Sequence, residues 1–258
     1  MIRNSIFILS HQDDEFGLFN IIEKQVEEKK NVLIFFLTSG FNTSINKFKL
    51  SVRDKESLSV LLNLGVKKKN IFFLGRQLNI KIYNLHKYLD IIYARIQILL
   101  KKKKNKSLIF THAWEGGNED HDSCYVIVKK IFFNNSKIIK CYQFSQYHAY
   151  KSSFLPFKIQ DHISNNEDFL HIKISFRKKI KYIKYLFSYL SQLYIWIPVY
   201  PFLIYKILSN QYGKLLKIDK NLKLKRPHEG KLLYEKFRQN RYQQILKYFK
   251  KFLNKKNF

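Results

Sequence analysis

Two short apolar runs open the chain: Ser5 to Ser10 reads SIFILS and Asn31 to Thr38 reads NVLIFFLT. Both are rich in β-branched and aromatic residues and free of charge, as strands buried on both faces of a parallel sheet are. Between them, Phe16 to Lys30 carries apolar residues at helical spacing, which makes a strand–helix–strand unit of about the minimum crossover length. The alternation repeats. Ser51 to Leu64 reads as a helix stopped by Gly65, Asn70 to Leu74 as a strand, Asn84 to Leu100 as a helix and Ser107 to Thr111 as a strand. A helix over His121 to Phe133 and a strand over Lys137 to Phe144 follow. The pattern predicts a doubly wound, Rossmann-like α/β core with a mostly parallel sheet over about the first 150 residues. No internal repeat is visible, and Lys101 to Lys104 reads as a solvated loop.

Beyond residue 150 the rhythm changes to a C-terminal α/β extension within one domain spanning residues 1–258. Short strands are expected around Phe157 and over Phe169 to Ile174, then a long helix from near Ser175. Tyr185 to Tyr205 is uncharged and long enough to span a bilayer, but Ser188, Ser191, Gln192, Pro198 and Pro201 interrupt it and its tyrosines are spread throughout. The preferred expectation is a buried helix followed by a Pro-bounded turn, with interfacial membrane contact and a true span as alternatives. Lys231 to Lys256 reads as a basic helical segment in which Leu232, Leu233, Phe237, Ile245, Leu246, Phe249 and Phe252 are available for an apolar stripe.

Composition adds one unusual number: 48 Lys+Arg against 19 Asp+Glu gives a formal charge of +29. That balance invites nucleic acid, an anionic membrane or a phosphorylated ligand. An equally good account is compositional drift, because Lys, Asn, Ile, Phe and Tyr are all heavily used, as an A/T-rich genome would favour. Two cysteines, Cys124 and Cys141, suit a reducing cytosol, and the opening MIRNSIFILSHQDDE turns acidic before a signal-like apolar run develops. A cytoplasmic location is expected, with membrane association through the basic C-terminal helix as an option.

Against the basic background, acids and histidines crowd at two strand ends. His11-Gln12-Asp13-Asp14-Glu15 follows the first strand, at the edge where open α/β sheets build their sites. It offers imidazole and carboxylate donors of the kind zinc accepts, although Asp13 or Asp14 as a helix cap is the plainer alternative. The second cluster, His112-Ala113-Trp114-Glu115-Gly116-Gly117-Asn118-Glu119-Asp120-His121-Asp122, follows the strand that ends at Thr111. Seven of the chain's 19 acids lie in these two stretches, a repulsion that a bound cation would relieve. Arg53 and Glu56, three apart on one helix face, read either as a surface ion pair or as a grip on substrate hydroxyls or phosphate.

Together these motifs resemble the PIG-L/LmbE family of zinc-dependent N-acetylglucosaminyl de-N-acetylases. The family pattern is His-Pro-Asp-Asp-Glu, then Arg-x-x-Glu before Leu-Gly, then Glu-Gly-Gly-His-Pro-Asp-His-Asp. Ser191-Gln192, preceded by Lys184, resembles a late Ser-Gln element. The resemblance implies His11, Asp14 and His121 as ligands of Zn2+ or another divalent cation, and Asp13 as general base. It implies Arg53 at the sugar site, Glu15 and Glu56 in supporting roles, and Asp120 as an orienting carboxylate. Two positions depart from the pattern: Gln12 replaces a proline, and Asn118 stands where the family has a histidine that stabilises or protonates the tetrahedral intermediate. Asn118 can donate a hydrogen bond but no proton, so His112, His228 or Asp13 itself are the candidates for the acid.

The expected activity is hydrolysis of the N-acetyl group of an amino sugar, free or linked to lipid or nucleotide, releasing acetate and a free amine. Two rivals remain: an impaired member that binds sugar or metal, and a basic nucleic-acid-binding protein working through Lys231 to Phe258. The second gives no reason for the acid–histidine clusters, and no nucleic-acid partner is expected.

Overall fold

The structure, a computed structural model, describes residues 2–101, 105–152, 156–163, 169–220, 223–238 and 241–255. Five of the charge-poor runs become parallel strands: β1 (Ile2–Leu9), β2 (Asn31–Phe36), β3 (Ile71–Phe73), β4 (Lys106–His112) and β5 (Ile138–Phe144). Between them run α1 (Phe19–Glu27), α2 (Val52–Asn63), α3 (Leu74–Gln77), α4 (Leu89–Lys101) and α5 (Glu119–Asn134). A two-stranded ribbon of β6 (Tyr147–His148) and β7 (Lys158–Ile159) follows, then α6 (Phe176–Leu186), α7 (Leu193–Trp196), α8 (Tyr200–Leu208), β8 (Leu215–Lys217), α9 (Leu233–Phe237) and α10 (Tyr242–Asn254). The main sheet has the order β3-β2-β1-β4-β5-β8, with β8 alone antiparallel. The fold is therefore the α/β, mostly parallel, doubly wound sheet that the apolar runs predict.

Strand alternation divides the core into two layers. Ile6, Ile8, Leu33, Phe35 and Ile109 face a cluster completed by α4, α5 and α10, while Phe7, Leu9, Ile34, Phe36 and Phe110 face one completed by α1, α2, α6 and α8. Each layer buries a continuous set of large side chains, at roughly 25 cal/mol per Å² of apolar surface removed from water. The strand order reverses between β1 and β4, so the loops leaving their carboxyl ends diverge and open a crevice. Both acid–histidine clusters begin there.

Several expectations need correction. Phe169 to Ile174 forms no strand, only an isolated bridge from Leu170 to Leu215. The Phe157 strand is the short β7, beginning one residue later. Tyr185 to Tyr205 is not a buried helix: it breaks into a 3-10 turn at 190–192, α7 and α8. Pro198 follows the end of α7 and Pro201 sits in the first turn of α8, positions where proline's missing N–H and fixed φ interrupt one helix and start another. Only one face of α8 packs inward, so Tyr200, Leu203 and Ile207 are buried, while Leu190 and Tyr194 before it stand 70% and 77% exposed. No helix among the described residues is long and apolar enough to cross a membrane.

The basic C-terminal segment is two helices rather than one. Gln239 and Asn240, between α9 and α10, lie outside the described residues, as do Lys102 to Lys104 of the lysine run and residues 256–258. The α10 stripe Tyr242, Ile245, Leu246, Phe249 and Phe252 is buried against the core, leaving Lys247, Lys250 and Lys251 outside. Membrane contact by this helix would thus rest on its lysines and the exposed Tyr248, because its apolar stripe is already occupied.

Candidate metal centre and pocket

The first loop is built around a carboxylate folded back on its own chain. After β1 ends, Asp14 turns so that Oδ2 accepts from the backbone N–H groups of Ser10 (3.0 Å) and His11 (2.6 Å) and from the Ser10 hydroxyl (2.9 Å). His112, the last residue of β4, donates from Nε2 to the same oxygen at 3.0 Å. Oδ2 is thereby saturated, and Oδ1 is left facing His121 Nε2 (3.3 Å) and His11 Nδ1 (3.6 Å). The turn that allows this puts Asp13 at φ 125, a strained value for a residue with a side chain and one met most often at functional sites.

The second loop supplies the opposing face. Asn118 caps α5, its Oδ1 accepting from Asp120 N at 2.9 Å, so that Asp120 and His121 fall in the first helical turn. The His121 ring stacks on His112, centroids 3.9 Å apart and planes 4° from parallel. Asp120 accepts from the backbone of Tyr83 and Leu85 and from His11 Nε2 at 3.1 Å. A proton on His11 Nε2 leaves the lone pair on Nδ1, which lies 2.9 Å from the Ser10 hydroxyl and 3.6 Å from Asp14 Oδ1; a carboxylate commonly orients a metal-ligating imidazole in this way.

The donor set fits a divalent cation. One atom each from His11, Asp14 and His121 lies within 4.8 Å of the others, all three residues are buried, and neither nitrogen of His121 has a hydrogen-bond partner among the described residues. Burial, with His112 beside it, pushes His121 down to about 3, so its imidazole stays neutral. For His11, burial acts to lower the pKa, but Asp14 and Asp120 outweigh it and carry the group up to about 9. The pair of carboxylates thus calls for positive charge at this point. Two imidazoles and one carboxylate leave an open coordination position, as catalytic zinc sites do.

Beside the cluster opens a pocket of about 340 Å³ lined by His11, Asp13, Asp14, Arg53, Asn118, Tyr147 and Trp196, among others. Arg53 Nη2 (3.0 Å) and Trp196 Nε1 (3.1 Å) both donate to Asp13 Oδ2. Burial raises Asp13 to about 6 against the opposing pull of Arg53, with Asp14 raising it further. Arg53 also holds the backbone carbonyls of Gly40 (2.6 Å) and Gln12 (2.8 Å), which makes it a clamp on the Asp13 turn as well as a pocket wall. Gln12, in place of the pattern's proline, ties the same loop to α2 by donating to Asp54 Oδ1 at 2.9 Å.

Other sequence candidates lie further from the pocket. His112 is fully buried, hydrogen-bonded to Asp14 and stacked on His121, and is outside the pocket lining. His228 is outside the pocket lining, its Nδ1 against its neighbour's carbonyl at 2.6 Å and its ring beside Tyr150. Glu56 does not face the pocket either. Its carboxylate accepts from the backbone (2.8 Å) and hydroxyl of Ser191, holding the segment from which Gln192 and Trp196 reach the pocket. Glu15 supports in the same way, accepting from Asp13 N at 3.1 Å and Tyr189 OH at 2.9 Å, and burial pushes it up to about 7.

Sequence reasoning missed Trp196, Tyr147 and Arg238. Trp196 is hidden in the uncharged stretch, where hydropathy alone gives an indole no role. Arg238 reaches the pocket from α9's end, its guanidinium over the Tyr83 ring at 3.4 Å and paired with the buried Glu119.

Residues 6–132 match the family described as PIG-L, GlcNAc-PI de-N-acetylase. Among solved structures, the fold is similar to N,N'-diacetylchitobiose deacetylase from Pyrococcus horikoshii complexed with an inhibitor, at 17% identity and TM-score 0.58 over 84% of each chain. It is also similar to a triple mutant of a deacetylase of the teicoplanin biosynthetic pathway, at 13% identity and TM-score 0.58 over 84% of this chain and 99% of that one. The zinc-inhibited form of teicoplanin deacetylase aligns at 11% identity and TM-score 0.57 over the same shares. No curated protein matches the sequence.

Proposed function

Since residues 6–132 match the PIG-L, GlcNAc-PI de-N-acetylase family, we propose that this chain hydrolyses the N-acetyl group of an amino sugar, releasing acetate and the free amine. The observation that carries the reading is the His11, Asp14 and His121 cluster with Asp13 beside it in one pocket, at the sheet edge where the strand order reverses. The similar solved structures support it, being deacetylases that include a chitobiose enzyme. The aromatic walls Trp196, Tyr83 and Phe157 suit the C–H faces of a sugar ring. The sugar is free or carries a lipid or nucleotide outside the pocket.

His11, Asp14 and His121 would hold Zn2+ or another divalent cation, which supplies Lewis acidity toward a carbonyl oxygen and lowers the pKa of water. Asp13 is the general base. Because Arg53 and Trp196 both occupy its Oδ2, Oδ1 remains to take the proton of the water that attacks the acetyl carbon. The same carboxyl then returns that proton to the leaving nitrogen, which fills the acid role that neither His112 nor His228 is placed to perform. Asp120 keeps His11 in the ligating tautomer, and Arg53, Glu56 and Glu15 hold the loop and its cover in register. The two cysteines are buried free thiols, in keeping with a cytoplasmic site of action.

Acetate release from N-acetylglucosamine, N,N'-diacetylchitobiose, and nucleotide- and lipid-linked N-acetylglucosamine tests the proposal. Release from at least one, abolished by a chelator and restored by zinc, is the expected result. No release from any of them with the zinc-loaded protein contradicts it.

A further inference from the structure

Deacetylation builds negative charge on the acetyl oxygen, and pocket donors aimed at that charge lower the barrier most. Several donors here are already engaged. Arg53 and Trp196 serve Asp13, and Asn118 spends its amide in two directions. Its Oδ1 is fixed by the cap on Asp120 N, so its Nδ2 faces Tyr147 and donates to the phenol oxygen at 3.2 Å. A phenol oxygen that accepts in this direction keeps its own O–H for something else.

The second cluster is organised around this tyrosine. Glu115 Oε1 accepts from the backbone N–H of Gln146 (2.8 Å) and Tyr147 (3.1 Å), and Oε2 takes the Ser145 hydroxyl at 2.6 Å, pinning β6 beside the loop. Gly117 is required where it stands, because a Cβ there would run into the Tyr147 carbonyl oxygen. The Tyr147 ring packs at 5.3 Å from His121, and the residue lines the same pocket as Asp13 and Asp14. Glu115 and Gly117 thus fix the Tyr147 backbone while Asn118 and His121 meet its side chain, whose hydroxyl proton has no recipient among these contacts.

We propose that Tyr147 is a catalytic hydrogen-bond donor whose phenol O–H receives the developing oxyanion; this rests on the deacetylase reading above. As the water oxygen bonds to the acetyl carbon and its proton passes to Asp13 Oδ1, the carbonyl π pair moves onto oxygen and is met by the Tyr147 hydrogen. When the C–N bond breaks, that pair re-forms the carbonyl and Asp13 returns the proton to nitrogen. Tyr147 keeps its proton throughout.

The test uses the zinc-loaded full chain, the panel sugar that is turned over, and a methylphosphonamidate of glucosamine as a tetrahedral anionic mimic. Tyr147→Phe is expected to lower kcat about 10²- to 10³-fold with KM and zinc content unchanged, and to weaken the mimic by a similar factor. Asn118→Ser, which keeps a capping oxygen but loses the donor to Tyr147, is expected to lower kcat in the wild-type background and to add nothing in Tyr147→Phe. Wild-type kcat and mimic affinity in Tyr147→Phe overturn the proposal while leaving the deacetylase reading intact. Loss of zinc, or equal weakening of substrate and mimic, overturns it in favour of a purely structural tyrosine. A wild-type protein that neither releases acetate nor binds the mimic overturns the deacetylase reading and this proposal with it.

Discussion

Trp196→Phe isolates one hydrogen bond at the proposed base. The indole Nε1 donates to Asp13 Oδ2 at 3.1 Å, and its ring meets Phe16 edge-on at 4.7 Å between centroids. Phenylalanine preserves that packing and removes the donor. A hydrogen bond to a charged acceptor contributes about 1.5 kcal/mol, and at about 1.4 kcal/mol per unit its loss raises the Asp13 pKa by about one unit. The direction is fixed by the bond, which favours the carboxylate; without it the proton binds more tightly. Arg53 remains at 3.0 Å to hold the carboxylate in place. Asp13 acts as base only when ionised, so the acidic limb of kcat/KM for acetate release should move to higher pH by about one unit, with the plateau little changed. A bound cation shifts the limb in wild type and variant alike, so the difference between them is the quantity to read. A limb that stays in place, or that moves to lower pH, refutes the assignment of Asp13 as base.

Two other outcomes follow from the same geometry. His121→Ala removes one of the three proposed ligands, and the purified protein should carry far less than one zinc per chain by elemental analysis, with the fold retained by circular dichroism. His162 is buried with Nε2 against the Lys214 carbonyl at 3.0 Å, and burial pushes it down to about 4 from an ordinary 6.5. Its contribution to stability is present above pH 6.5 and lost as pH falls toward 4, because the unfolded chain takes the proton first. Over that window it amounts to roughly 3 kcal/mol. Urea unfolding of His162→Gln at stepped pH should show a flatter decline between these values than wild type.

The frame was legible because its strands are poor in charge and free of acids, and many of its acids are gathered where those strands end. Against a +29 background, clusters such as His11 to Glu15 and Glu115 to Asp122 stand out, and parallel topology brings their strand ends together. What each residue does within the cluster was not legible. His112 and His228 are equal candidates in sequence, yet register buries one behind Asp14 while the path of the chain after β8 carries the other outside the pocket lining. Trp196 reaches Asp13 from 183 positions away, a contact for which no local pattern exists. The stretch from Tyr185 to Tyr205 misled for another physical reason: its hydropathy is continuous, but prolines divide it into short pieces that bury one face and leave Leu190 and Tyr194 outside. The C-terminal helix misled in reverse, because its apolar stripe is part of the core.

The central claim is that Asp13 performs the chemistry beside a metal it does not hold. It is tested most directly by Asp13→Asn, assayed for zinc content and for acetate release on the sugar that wild type turns over. The account expects one zinc per chain, as in wild type, with acetate release lowered by about 10³-fold or more. Near-normal release by that variant, or zinc lost along with activity, would contradict it.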